Sequence, residues 1–161
     1  MSSSSGYRSL SDTQLTAALR RHLGFPEFRP GQSRLLRAVL SGRDALGVLP
    51  TGGGKSVCFQ LPAFLLPGTV LVVSPLVSLM EDQVGRARAH GLRAELLNAG
   101  TPRTRRTAIL TACRESDVDL LFVSPERLHL PGFSSALARI PVTVLAVDEA
   151  HCVSLWGHDF R

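Results

Sequence analysis

The chain has 161 residues, enough for one domain with a sizeable core, and its 44% hydrophobic and 19% charged residues exclude a disordered or low-complexity protein. The formal net charge of +5 and a pI of about 10.1 suit a polyanionic partner such as nucleic acid. The three cysteines, Cys58, Cys113 and Cys152, form no C-x-x-C pair, which argues against a disulfide framework and against a zinc site. No apolar run reaches the roughly 18 residues of a membrane span, and the Ser-rich start lacks the apolar core of a signal peptide, so a soluble intracellular protein is expected.

In chain order, residues 1–9 read as a loose Ser-rich tail. Ser11-Asp-Thr-Gln14 has capping-box spacing, with Leu10 and Leu15 placed as a hydrophobic staple, and predicts a helix to about Leu23 stopped by Gly24. Pro30 fits the first position of a second helix, with Leu35, Leu36, Val39 and Leu40 on its buried face and Gly42 after it. Apolar runs then recur at Ala45–Leu49, Thr69–Ser74, Ala94–Asn98, Leu120–Ser124 and Val142–Val147. Helical stretches separate them at Lys55–Leu66, Leu76–His90, Arg103–Arg114 and Phe133–Arg139. Short, nearly continuous apolar strands between helices predict a parallel sheet covered on both faces, an α/β three-layer sandwich. The expected organisation is a tail over 1–9, a helical segment over 10–42 and an α/β lobe over 43–161.

Leu49-Pro-Thr-Gly-Gly-Gly-Lys-Ser56 follows the first predicted strand and opens a predicted helix. Consecutive glycines let backbone N–H groups converge on phosphate oxygens, and the helix adds its positive end. Lys55 could then reach the β- and γ-phosphates, while the Ser56 hydroxyl could ligate Mg²⁺. Among 18 Lys+Arg, Lys55 is the single lysine, the pattern expected where a compact ammonium is needed. Leu49 stands where the strict phosphate-loop pattern has glycine. Downstream, Val142–Val147 ends abruptly in Asp148-Glu149-Ala-His151. Strand ends line the ligand crevice of a parallel sheet, so Asp148 is placed to hold Mg²⁺ and Glu149 to orient and deprotonate an attacking water.

Asp148-Glu-Ala-His151 together with Thr51-Gly-Gly-Gly-Lys-Ser56 resembles the superfamily 2 helicases, and further segments resemble the RecQ family. Gly24-Phe-Pro-Glu-Phe-Arg-Pro-Gly-Gln32 is similar to that family's adenine-recognition motif, and Cys58-Phe-Gln-Leu-Pro62 to its phosphate-loop helix. Ser74–Gln83 resembles motif Ia, Val123–Leu128 the segment ahead of the acidic motif, and Cys152–Arg161 the aromatic-rich loop. The resemblance covers roughly residues 12–161.

It implies a RecA-like P-loop NTPase fold and an incomplete first motor lobe, ending after the aromatic-rich loop and lacking the second lobe. It implies ATP-dependent 3′→5′ DNA unwinding in repair and recombination, with ATP and Mg²⁺ as cofactors. Single-stranded and junction DNA are the implied partners, with no membrane, in a bacterial nucleoid or a nucleus. The implied nucleotide contacts are Phe25, Arg29, Gln32, Thr51, Gly52, Gly53, Gly54, Lys55 and Ser56. Lys55, Asp148, Glu149 and His151 are the implied catalytic set, with Ser56 and Asp148 on Mg²⁺. A Gln amide can pair with adenine N6 and N7, which suits Gln32 to reading a base. Trp156, Phe160 and Arg161 are implied DNA contacts, since aromatics in a basic loop can stack on unpaired bases. Without an arginine finger from a second lobe, the chain alone is not expected to unwind DNA. A stand-alone P-loop ATPase and a degenerate, non-enzymatic DNA-binding module remain the alternatives.

Overall fold

The computed structural model describes residues 10–50, 52–128 and 130–152. The chain divides into two units, one ending at Pro67 and one starting at Gly68.

In the first unit, helix α1 spans Asp12–Leu23 and begins as the sequence predicts. Ser11 Oγ accepts from the Gln14 N–H at 3.2 Å, and Gln14 Oε1 accepts from the Ser11 N–H at 2.8 Å. Two otherwise orphaned helix-end donors are thereby satisfied reciprocally. Gly24 ends the helix in the left-handed region at φ +73, returning its N–H to Arg20 O. Helix α2 spans Gln32–Leu40, two residues later than Pro30 led us to expect. Gly31 intervenes at φ +87, a conformation no helix interior accepts, so Pro30 belongs to the preceding turn. Helix α3 spans Val57–Leu65.

Leu15, Leu19, Leu23, Leu36, Leu40, Val57 and Leu61 of these three helices form one core. Each buried leucine contributes about 2 kcal/mol. Leu19 is fully buried, and truncating it to alanine is expected to cost ~2–5 kcal/mol. Of the four residues expected on the buried face of α2, Leu36 and Leu40 are buried, while Leu35 and Val39 are half-buried.

The strand expected at Ala45–Leu49 does not form: residues 43–50 adopt no regular secondary structure, and Leu46 and Val48 are 83% and 89% exposed. Apolar composition favours a strand only where a neighbouring edge takes up its backbone hydrogen bonds, and among the described residues of the first unit there is no such edge.

The second unit carries a parallel sheet of strands β1 (Thr69–Val73), β2 (Ala94–Leu97), β3 (Leu120–Val123) and β4 (Val142–Val147), in the order β2-β3-β1-β4. Helices α4 (Val77–Ala89), α5 (Arg103–Arg114), α6 (Pro125–Leu128) and α7 (Phe133–Leu137) supply the connections. Among them α6 is a short helix that the sequence did not disclose. Every residue of β1 and β3 is buried, as continuous apolar runs require of central strands. Leu71, Leu97, Leu121 and Val123 of the sheet pack with Ile109, Leu110 and Cys113 of α5 and Phe133 of α7. The fold is the expected α/β class with a parallel, helix-covered sheet. No helix among the described residues is long and apolar enough to cross a membrane.

Candidate nucleotide-binding and hydrolysis residues

The glycine run leading into α3 adopts backbone that only glycine enters without strain: Gly52 and Gly54 both have φ +74. The loop is gripped from the turn between α1 and α2. Gln32, 2% exposed, donates from Nε2 to the carbonyls of Gly54 at 2.9 Å and Gly53 at 3.2 Å. Its Oε1 accepts from the Arg29 N–H at 2.8 Å, and Arg29 Nη1 donates to Gly52 O. The amide expected to read a base therefore also holds the phosphate loop by its backbone. A Cβ on Gly54 would lie 2.5 Å from Gln32 Nε2, and one on Gly53 would lie 2.7 Å from Pro50 O. Positions 53 and 54 are thus closed to a larger residue, whereas a Cβ on Gly52 would meet nothing within 4 Å. Ser56 stands at the N-terminal boundary of α3 with helical backbone angles and no side-chain capping bond, and Lys55 is half-buried beside it. Phe25 is 44% exposed, leaving surface for stacking. Thr51 lies outside the described residues.

In the second unit the strand ends form one rim. Past each strand's last residue the ladder continues one step: Ser124 N donates to Leu97 O, Ser74 N to Val123 O and Asp148 N to Val73 O. Asp148 is thus fixed at the carboxyl end of β4 and is 8% exposed. Its Oδ1 accepts the Glu149 N–H at 3.0 Å. Glu149 has φ +50, a strained conformation for a residue with a Cβ, held by Cys152 N–H donating to Glu149 O at 2.8 Å. His151 Nδ1 lies 3.3 Å from Glu149 Oε2. The structure therefore brings the two carboxylates and His151 together on one short turn. No cluster of metal-ligating His, Cys, Asp and Glu side chains occurs among the described residues. Trp156, Phe160 and Arg161 lie outside the described residues.

Sequence reading missed two features of this unit. Arg127 of α6 is 2% exposed, its guanidinium 5.6 Å from the Phe133 ring centroid, and Nε and Nη2 have no acceptor. Burial, and then the charge of Arg106, push its pKa down. The rim hydroxyls of Ser74 and Ser124 are likewise buried without a partner. Only the spatial neighbours of these residues disclose them; their local sequence does not.

Residues 29–161, more than half of the chain, match the DEAD/DEAH box helicase family. The chain is 45% identical over 150 residues to the probable ATP-dependent DNA helicase RecS of Bacillus subtilis, covering 92% of this chain and 30% of that protein. It is 41% identical over 145 residues to the ATP-dependent DNA helicase RecQ of Haemophilus influenzae, covering 90% of this chain and 23% of that protein. The chain thus spans under a third of these relatives' length. Among solved structures, the helicase Lhr of Mycobacterium smegmatis, bound to single-stranded DNA and AMP-PNP, superposes with a TM-score of 0.63 at 26% identity, over 94% of this chain and 21% of that one. A hypothetical ATP-dependent RNA helicase from Sulfolobus tokodaii shares the fold with a TM-score of 0.65 at 23% identity, over 91% of this chain and 44% of that one. The resemblance to RecQ proteins read from the motifs is borne out by these relatives, and the chain belongs to the DEAD/DEAH box helicase family.

Proposed function

We propose that this chain is the ATP-binding part of a RecQ-like DNA helicase motor that hydrolyses ATP to unwind DNA in the 3′→5′ direction, in repair and recombination. The observation that carries the reading is the phosphate loop itself: left-handed Gly52 and Gly54, no room for a Cβ at Gly53 or Gly54, and Gln32 tied to its carbonyls. Those residues fit a nucleotide triphosphate. Lys55 neutralises the terminal phosphates, and loop N–H groups bond their oxygens. Gln32, Arg29 and Phe25 take the adenine by amide pairing and stacking. Thr51 is assigned to the same nucleotide contacts.

Ser56 and Asp148 have the hard oxygen donors that Mg²⁺ takes, and the ion when bound would neutralise charge on the phosphates. Glu149 orients the attacking water and accepts its proton, and His151, beside its carboxylate, positions it. Trp156, Phe160 and Arg161 contact single-stranded or junction DNA by stacking and charge. The site of action is then wherever the DNA is, a bacterial nucleoid or a nucleus.

The test is Glu149→Gln in a chain extended through a second motor lobe. The amide is nearly isosteric but accepts no proton, so ATP should bind as before while DNA-stimulated turnover falls at least a hundredfold, taking ~10²–10⁴ as the reach of a general base. Near-normal turnover would remove Glu149 from this role.

A further inference from the structure

The two edges of the sheet, β2 and β4, are built differently. β2 is short, and main-chain groups on its outer side are taken up locally. The Ala94 carbonyl accepts from Arg88 Nε at 2.8 Å, and the Asn98 N–H donates to Thr101 Oγ1 at 3.0 Å. Glu95, bonded to Arg88 Nη2 at 2.8 Å, adds charge within the strand. A short edge with capped backbone and charged side chains resists further pairing.

β4 has none of these guards. Its residues, Val142-Thr-Val-Leu-Ala-Val147, carry no charge and are mostly β-branched. The ladder fixes which of them face outward. Asp148 N donates to Val73 O, with Val147 in register with Val73 and Leu145 with Leu71. Successive residues turn their main-chain groups to opposite sides of a strand, so Asp148 and Ala146 face β1 while Val147 and Leu145 face away. Among the described residues no strand pairs with that side. The same two side chains are exposed, Leu145 at 61% and Val147 at 43%. Unpaired main-chain groups and apolar side chains thus coincide on one edge.

A single open edge also sets the number of copies. With β2 guarded, pairing of β4 with β4 about a two-fold axis uses up the open edge of both chains and closes at two. Each chain carries a net charge of +5, but β4 itself contributes none of it.

We propose that the outer side of β4 is a docking edge for a second copy of this chain. The two β4 strands run antiparallel, and Leu145 and Val147 of each copy bond through the main chain and pack against those of the other. The inference is independent of the nucleotide and DNA readings above. An edge of this length spans about 20 Å, a small interface, so the dimer has micromolar rather than nanomolar strength.

The test is sedimentation velocity of this chain over a micromolar concentration series at low and high sodium chloride. The unmodified chain should pass from monomer to dimer with no larger species, and salt should favour the dimer by screening two cationic copies from each other. Leu145→Lys brings like charges together across the axis and should weaken association about tenfold or more, with little change in melting temperature because the side chain is exposed. Leu145→Thr keeps the strand propensity and should weaken association about threefold, which preserves the test if the lysine variant does not fold. Leu46→Lys makes the same charge change at an 83% exposed leucine that lies in no strand, and should leave association unaltered. Hydrogen exchange of the Leu145 and Val147 amides should slow as the dimer forms. A monomer at every concentration, growth beyond the dimer, equal weakening by Leu46→Lys, or exchange at those two amides that ignores concentration would overturn the proposal.

Discussion

Gln32 donates its side-chain amide to the carbonyl of Gly54 at 2.9 Å, which joins the adenine-recognition segment to the phosphate loop through one buried hydrogen bond. The contact distinguishes two glycines that share φ +74. A methyl group at position 52 meets open space, so Gly52→Ala should cost only the left-handed strain of ~1–2 kcal/mol. At position 54 it lies 2.5 Å from Gln32 Nε2, at the end of a side chain that is itself buried and bonded at both ends. Gly54→Ala should therefore cost about 1–3 kcal/mol more. Urea unfolding of the two variants side by side measures the difference, and equal losses would show that Gln32 yields freely.

Replacing Gln32 by glutamate keeps its shape but removes the donor that serves Gly53 O and Gly54 O. A carboxylate would also face two carbonyl oxygens while buried, which is unfavourable. We expect Gln32→Glu to weaken ATP binding at least tenfold and to erase any preference for ATP over GTP. Calorimetric titration with both nucleotides decides it, and an unchanged ATP preference would separate Gln32 from base reading.

Much of the fold was legible because its signals are local. Ser11 and Gln14 form the capping box that their spacing announces, and four of five apolar runs became strands of the parallel sheet. The fifth, Ala45–Leu49, has the same composition, but a strand is a property of two backbones, and no edge pairs with it here. Gly31 delayed α2 because a positive φ is invisible until the turn is built. At the site, residue types disclosed Lys55, Asp148 and Glu149, since their chemistry lies in their identity. The grip of Gln32 on the loop and the burial of Arg127 depend on neighbours 21 and 22 residues away in one case and on α7 in the other. Spacing along the chain carries no signal for such contacts.

The two buried thiols set an alkaline limit on stability. Burial pushes Cys58 up to about 11, while burial and then the nearby Glu95 push Cys113 up to about 12. An unfolded thiol ionises near 8.5. The folded state therefore binds more protons above that pH, and stability, full below it, should fall as pH rises from about 8.5 toward 11. Urea midpoints across that range should decline, and Cys113→Ala, though less stable at pH 7, should decline less steeply. An equal decline in the variant would assign the loss elsewhere. At pH 8 a thiol reagent should modify half-buried Cys152 well before Cys58 and Cys113.

His151 stands 3.3 Å from the Glu149 carboxylate on a turn already strained at Glu149. If the ring positions that carboxylate, His151→Ala should lower ATP turnover about tenfold or more in a chain extended through a second motor lobe, with nucleotide affinity little changed. His151→Asn should restore part of the rate, because its amide can still hydrogen-bond the carboxylate. Equal losses in both variants would contradict a positioning role.

The central claim is that the loop ahead of α3 holds nucleotide phosphates through its single lysine, and calorimetric titration of ATP with Mg²⁺ into this chain and its Lys55→Ala variant tests it most directly. The account predicts measurable binding by the unmodified chain, weaker binding by Lys55→Arg because a planar fork replaces a compact ammonium, and none by Lys55→Ala at the same concentrations. ATP affinity unchanged by Lys55→Ala, in a variant that melts at the same temperature, would contradict it.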